Sequence, residues 1–169
     1  MDLIVTRCAD GYEAWYGARR WRAAAGRGGI APKTGEGDGI SPRGAWPIRR
    51  VLYRADRLPG PPVTVFPCAA IAPDDGWCDA PGDAAYNRPV RLPHPASHEE
   101  MWRDDGLYDL VVVLGHNDAS VVPGAGSAIF LHVARPDYGP TAGCAALARD
   151  DLLAFLALAG PATRLCFQD

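Results

Sequence analysis

The 169-residue sequence is long enough to bury one hydrophobic core, so we predict a single domain over residues 1–169. Hydrophobic residues make up 48% and charged residues 22%, which is typical of a globular protein and excludes a disordered one. The net charge of −3 and the lack of a basic run argue against nucleic-acid binding, and no apolar run approaches the length of a membrane span.

Short apolar segments of strand length recur along the chain, and together they predict a mainly β fold. In chain order they are Leu3–Thr6, Trp21–Ala25, Trp46–Tyr53, Tyr108–Leu114, Ala128–Val133 and Thr163–Phe167. The 19 glycines and 16 prolines favour turns between short elements. We therefore expect most of the chain to form strands joined by turns.

Two segments have helical features. Residues 97–102 predict a short helix, because a serine that can cap it precedes two glutamates. A longer helix is predicted to begin at the aspartates 150 and 151 and to end before Gly160 and Pro161. Its apolar positions follow the i, i+3, i+4, i+7 pattern and are Leu152, Phe155, Leu156 and Ala159.

Residues 59–95 contain nine of the sixteen prolines and resist both helices and central strands. One interpretation is a long surface loop of polyproline character. The other is an ordered flap that controls access to a cleft, because long loops in compact domains often have a function. The aromatic and polar residues of the segment favour the flap.

A candidate nucleophile, Cys144, ends the segment Thr-Ala-Gly-Cys and follows His132, which ends an apolar strand. Between a turn-rich loop and the predicted helix, the thiol would meet backbone dipoles that lower its pKa. The imidazole can take the thiol proton, and the amides of Gly143 and Cys144 can hold an oxyanion. Either side chain alone would suit a buried structural role, but together they indicate a cysteine nucleophile with a histidine base.

These residues resemble the L,D-transpeptidases with a YkuD-type catalytic domain, whose motif is a strand-end histidine followed by Ser/Thr-His-Gly-Cys. The matching positions are His132, Thr141, Gly143 and Cys144, and upstream Ser41, Pro42, Gly44 and Trp46 match the family's Thr-Pro-x-Gly-x-Phe segment. The chain departs from the motif at Ala142, which replaces the second histidine, and at Ala146, which replaces an arginine or asparagine.

The resemblance implies a β-sandwich of two packed mixed sheets with short helices and a long proline-rich loop. It also implies a peptidoglycan L,D-transpeptidase that crosslinks stem peptides through a cysteine thioester, without a cofactor. Residues 76–79 and 86–90 are similar to a short proteobacterial branch, for which the implied crosslink joins L-Ala at stem position one to diaminopimelate at position three. Two alternatives stay open: a carboxypeptidase or amidase in which water resolves the thioester, and a non-catalytic peptidoglycan-binding module.

Further residues are candidates for substrate binding, and they are Trp77, Tyr86, Arg88, His116, Asn117, Arg135 and Thr141. Arg135 can bind the carboxylate of diaminopimelate as a fork, and Arg43 and Arg88 are weaker candidates for the same role. His116 is the alternative base. The group that orients His132 could be Asn117, Asp118, Asp137, Tyr138 or a backbone carbonyl.

The sequence predicts no metal site. Cys68, Cys78, His94 and His98 could form a zinc quartet, but the gap between the cysteines is too long for a usual zinc knuckle. The odd count of five cysteines leaves at least one thiol free, and the pairing of Cys8, Cys68, Cys78 and Cys166 does not follow from the sequence.

The expected partners are peptidoglycan stem peptides, one as donor and one with a diaminopimelate acceptor, and we expect a monomer. This substrate implies a periplasmic protein. The N-terminus lacks the basic and long apolar regions of a secretory signal.

Overall fold

The computed structural model describes residues 1–169 and contains fourteen strands and one α-helix. The strands are β1 (Leu3–Cys8), β2 (Gly11–Tyr16), β3 (Arg19–Ala24), β4 (Ile30–Ala31), β5 (Ser41–Pro42), β6 (Gly44–Tyr53), β7 (Cys68–Ala70), β8 (Asp75–Cys78), β9 (Pro89–Arg91), β10 (His98–Glu100), β11 (Leu110–Leu114), β12 (Phe130–Val133), β13 (Ala145–Leu147) and β14 (Arg164–Phe167). The helix, α1 (Arg149–Leu158), lies between β13 and β14. The prediction of a mainly β fold is confirmed, and α1 is too short to cross a membrane.

Nine strands form one mixed sheet in the order β11-β12-β13-β3-β2-β1-β14-β6-β7. The ten-residue strand β6 pairs with β14 through its first half and with β11 through its second half. Because β6 has both partners, the sheet closes on itself and resembles a barrel. The expected sandwich of two packed sheets is therefore replaced by a closed sheet, and its mixed character comes from parallel pairs such as β1–β14 and β12–β13.

Strand β11 is buried on both faces, which explains its uninterrupted apolar sequence. Leu110, Val112 and Leu114 belong to the main hydrophobic core, whereas Val111 and Val113 belong to a second cluster on the opposite face. Successive strand residues alternate between faces, so this strand connects the two clusters. The second cluster lies under the candidate site.

The predicted longer helix is confirmed as α1, and it packs its apolar stripe against the main core. Leu152, Phe155 and Leu156 are fully buried. Phe155 also contacts the rings of Tyr16 and Trp21 edge-to-face, with centroids 5.4 and 6.5 Å away. These contacts anchor the helix against β2 and β3.

The proline-rich segment is ordered and contains β7, β8 and β9. β8 pairs with β9 and β10 to form a separate three-stranded sheet, here called the cap sheet. Residues 98–100 therefore form a strand, and the prediction of a helix at 97–102 was wrong because Glu99 pairs across from Trp77. The Trp77 ring contacts Phe130 of β12 edge-to-face at 5.1 Å, which attaches the cap sheet to the main sheet.

Candidate active site

His132 and Cys144 line the same cleft, which has a volume of about 260 Å³. The parallel pairing of β12 with β13 places Leu131 beside Ala145 and His132 beside Ala146. Continued by one residue, this register sets Cys144 beside Phe130, so the thiol and the imidazole lie on the same face of the sheet. All five cysteines are free thiols, and Cys144 is the one that lines the cleft.

The Cys144 thiol is buried, with 7% of the residue exposed. Its Sγ donates to the carbonyl of Ala128 at 3.3 Å and accepts from the amide of Phe130 at 3.4 Å. Burial raises the pKa of the Cys144 thiol to about 12. The prediction that the pKa of the Cys144 thiol is lowered was wrong. Cys144 precedes strand β13 and not the first turn of α1, so it does not lie at the N-terminus of the helix.

A backbone carbonyl orients His132. Its Nδ1 lies 2.9 Å from the carbonyl oxygen of Val133, which can only accept, so Nδ1 carries the proton and Nε2 is free to accept one. Burial lowers the pKa of His132 to about 4, and the Tyr108 ring packs edge-to-face on the imidazole at 5.4 Å. The resting site therefore combines a neutral thiol with a neutral imidazole.

Three hydroxyl and amide contacts hold the turn before Cys144. Thr141 Oγ1 donates to the carbonyl of Cys144 at 2.7 Å and accepts from the amide of Gly143 at 3.2 Å. Ser41 Oγ, from the neighbouring strand β5, donates to the same Cys144 carbonyl at 2.9 Å. The hydroxyl of Thr141 thus shapes the nucleophile turn, although Thr141 also lines the cleft as predicted.

Gly143 is required by the backbone. Its φ is +134°, and a Cβ at this position would lie 2.9 Å from the carbonyl oxygen of Ile40. The amide of Gly143 already donates a hydrogen bond to the hydroxyl of Thr141. To stabilise an oxyanion as predicted, this amide would have to break that hydrogen bond and donate to the substrate oxygen instead.

We expect Ser41→Ala to destabilise the site. Ser41 is fully buried, and its Oγ also accepts from the amide of Gly26 at 2.8 Å, so the variant leaves a buried N–H without an acceptor. The expected loss in the free energy of unfolding is about 1–3 kcal/mol. Chemical denaturation measures it, with the exposed Ser97→Ala as control, which should change stability by less than about 0.5 kcal/mol. Equal stabilities of the two variants would contradict the assignment.

Asn87 connects the cap sheet to the segment that contacts Cys144. Its Oδ1 accepts from the indole N–H of Trp77 at 3.0 Å and from the amide of Ala128 at 3.1 Å. Its Nδ2 donates to two carbonyls of the loop that follows β11, at 3.0 and 2.7 Å. Since the carbonyl of Ala128 accepts from the Cys144 thiol, Asn87 holds in place the segment that contacts this thiol.

Of the other predicted binding residues, Arg135 lines the cleft and the rest do not. Trp77, on strand β8 of the cap sheet, and Tyr86, in the loop between β8 and β9, are both buried. The remaining side chains make contacts elsewhere in the structure. Arg88 donates a hydrogen bond to the carbonyl of Asp118, and Arg43 donates one to the carboxylate of Asp169. Asn117 forms hydrogen bonds within its own loop, and the His116 ring packs edge-to-face on Trp46. His116 is therefore not placed to act as the base.

Sequence reasoning missed the charged residues around the cleft. They are Lys33, Glu36, Asp79, Glu99 and Arg103. Asp79 and Glu99 reach the cleft from the cap sheet region, and the Oδ1 atom of Asp79 is buried without a hydrogen-bond partner. None of these residues is near the Cys144 motif in sequence, so only the tertiary fold brings them together.

We expect the two buried histidines to make stability depend on pH. Burial lowers the pKa values of His116 and His132 from 6.5 to about 4. Below pH 6.5 the unfolded chain binds protons that the folded chain does not, so stability falls as the pH drops from about 6.5 to about 4. The loss is up to about 3 kcal/mol for each histidine.

Urea denaturation at several pH values measures this loss. His116→Gln, which removes one of the titrating groups, should make the decline shallower. A free energy of unfolding that stays constant over this pH interval would contradict the burial of the two rings.

The family model described as the L,D-transpeptidase catalytic domain, YkuD, matches residues 4–165, a range that includes His132 and Cys144. No curated protein and no solved structure shows significant similarity to the chain.

Proposed function

The chain belongs to the YkuD family of L,D-transpeptidase catalytic domains, and we propose that it crosslinks peptidoglycan stem peptides through a thioester on Cys144. The observation that carries the proposal is the shared cleft. Cys144 is its one thiol, and His132 enters the same cleft with Nε2 free to accept a proton. A nucleophile and a base in one cleft are the minimum that thioester chemistry requires.

In the first half-reaction, Cys144 attacks a carbonyl carbon of the donor stem peptide. The S–H proton moves to Nε2 of His132 as the new C–S bond forms, because the resting thiol and imidazole are both neutral. The C–N bond of the peptide then breaks, and His132 returns the proton to the leaving amine. The enzyme is left as an acyl thioester.

In the second half-reaction, the side-chain amine of a diaminopimelate residue attacks the thioester carbonyl. His132 takes a proton from this amine as the new C–N bond forms. The C–S bond breaks, and the proton passes to the sulfur to restore the thiol. The amine is favoured over hydrolysis when the bound acceptor peptide excludes water from the thioester.

The charges around the cleft suit the zwitterionic end of diaminopimelate. Arg103 and Arg135 can bind its carboxylate, and Asp79 and Glu99 can bind an ammonium group. Ala146, at the position of the family's arginine or asparagine, adds no charge beside His132. A donor that needs that side chain is disfavoured. The similarity of residues 76–79 and 86–90 to the short proteobacterial branch favours a crosslink from L-Ala at position one to diaminopimelate at position three. Such a reaction takes place in the periplasm.

Incubation with purified muropeptides tests the proposal, with products identified by mass spectrometry. We expect dimers in which L-Ala is bonded to the side-chain amine of diaminopimelate. Shortened monomers without dimers would show hydrolysis of the thioester instead. Unchanged muropeptides would contradict the proposed catalytic activity and favour a binding module.

A further inference from the structure

A cluster of metal-ligating side chains lies at the edge of the cap sheet, outside the catalytic cleft. The Cys78 sulfur, a carboxylate oxygen of Asp83 and a ring nitrogen of His94 all lie within 4.8 Å of one another. None of the three residues lines the cleft. We propose that Cys78, Asp83 and His94 bind a zinc ion.

The donor set fits zinc. Thiolate sulfur, imidazole nitrogen and carboxylate oxygen are the three ligand types that tetrahedral zinc sites combine. With zinc–ligand bonds of about 2.0–2.3 Å, the ligand atoms of a tetrahedron are roughly 3.3–3.8 Å apart. His94 Nε2 and Asp83 Oδ2 are 3.7 Å apart, so small side-chain rotations complete three corners and leave the fourth to water.

Burial and hydrogen bonding support the same assignment. Cys78 is fully buried, and His94 Nε2 is buried without a hydrogen-bond partner. A buried ring nitrogen that has no partner is costly, and a metal ion would satisfy it. The other oxygen of Asp83 accepts from the amide of Ala85 at 2.7 Å, which orients the carboxylate as outer contacts do in metal sites.

The sequence spacing had argued against zinc because it paired Cys78 with Cys68. In the structure Cys68 belongs to β7 of the main sheet, and Asp83 supplies the third ligand instead. The tight turn after β8 and the loop after β9 bring the three ligands together. A site formed in this way does not require the short cysteine spacing of a zinc knuckle.

Bound zinc would fasten the cap sheet. It would join the end of β8 to the turn that contains Asp83 and to the loop that leads into β10. Asp79 and Glu99, which line the cleft, lie on these same segments. The ion would therefore hold two of the charged cleft residues in place, while the binding itself does not depend on the proposed crosslinking activity.

Zinc titration of the metal-free protein tests the site, with affinity measured against a chromophoric chelator. We expect one zinc ion per chain. Cys78→Ser, Asp83→Asn and His94→Ala should each weaken binding on the order of 100-fold or more. Cobalt should give a thiolate-to-metal charge-transfer band that disappears in Cys78→Ser.

Two controls separate this site from other thiols. Cys68→Ser removes an exposed cysteine and Cys144→Ala removes the cleft thiol, and both should keep full affinity and the cobalt band. Loss of binding in Cys144→Ala would place the ion in the cleft and overturn the proposal. Absence of stoichiometric binding to the wild-type protein, or unchanged affinity in Cys78→Ser, would overturn it as well.

Folding of the variants is checked by thermal unfolding in the presence of a chelator. Each ligand variant should unfold cooperatively near the Tm of the metal-free wild-type protein. Zinc should raise the Tm of the wild-type protein and of the two control variants, but not that of the ligand variants. If Cys78→Ser does not fold, the partly exposed Asp83→Asn decides the outcome, because retained affinity in that variant contradicts the site.

Discussion

Cys144→Ala is expected to reduce crosslinking by roughly 10⁴-fold or more, because the substitution removes the sulfur that forms the thioester. The fold should persist, since alanine fits the space of a side chain that already behaves as a small buried group. Dimer formation from muropeptides, followed by mass spectrometry, measures the loss. Circular dichroism and the Tm verify that the variant is folded.

Cys166→Ala is the matched control for this prediction. Cys166 is also buried, with 7% of the residue exposed, but it lies on β14 and does not line the cleft. This variant should crosslink at close to the wild-type rate. Substantial crosslinking by Cys144→Ala, or equal losses in the two variants, would show that Cys144 is not the nucleophile.

His132→Ala is expected to lower turnover by about 10²–10⁴-fold, because it removes the group that accepts and returns the thiol proton. The pKa of the Cys144 thiol is raised to about 12 by burial, so the thiol does not ionise unaided near neutral pH. A base is therefore essential. The initial rate of acylation by a donor peptide is the appropriate measurement, and raising the pH should partly restore it in this variant.

His116→Ala distinguishes a base from a structural histidine. His116 is buried and packs edge-to-face on Trp46 at 4.6 Å, but it does not line the cleft. Its loss should lower the Tm and leave the acylation rate of the folded protein nearly unchanged. A larger kinetic loss in His116→Ala than in His132→Ala would exchange the roles of the two histidines.

Local sequence patterns were sufficient to predict elements whose structure depends on their own residues. The apolar run at Leu110–Leu114 and the helical stripe around Phe155 both predicted their elements, because each pattern reflects burial of that element alone. The residues around Cys144 also predicted a cysteine and a histidine that would act together, and the structure brings these two side chains into one cleft. The family match over residues 4–165 agrees with the resemblance inferred from that motif.

Tertiary contacts determined the features that the sequence did not reveal. Residues 97–102 carry a helix-capping serine, but pairing of Glu99 with Trp77 of β8 overrides this local preference. The short strand β13 separates Cys144 from α1, so burial and not the expected helix dipole determines the direction in which the pKa of the thiol shifts. The closed sheet likewise depends on β6 pairing with two distant strands.

Ser41 and Asn87 show a second limit of local reasoning. Ser41 was recognised as a match to a motif, and Asn87 belonged to the proline-rich segment, but neither was assigned a contact with the nucleophile region. Ser41 holds the Cys144 carbonyl across 103 residues, and Asn87 bonds Ala128 across 41 residues. Only the folded chain shows that both residues fix the position of the thiol.

Mass spectrometry of the acyl-enzyme tests the central claim most directly. The wild-type protein is mixed with a donor stem peptide, quenched with acid and digested, and the peptide that contains Cys144 is identified. We predict a mass increase equal to that of the acyl group, absent from Cys144→Ala and removed when a diaminopimelate amine is added before the quench. Crosslinked products without an adduct, or an adduct on another cysteine, would contradict the mechanism.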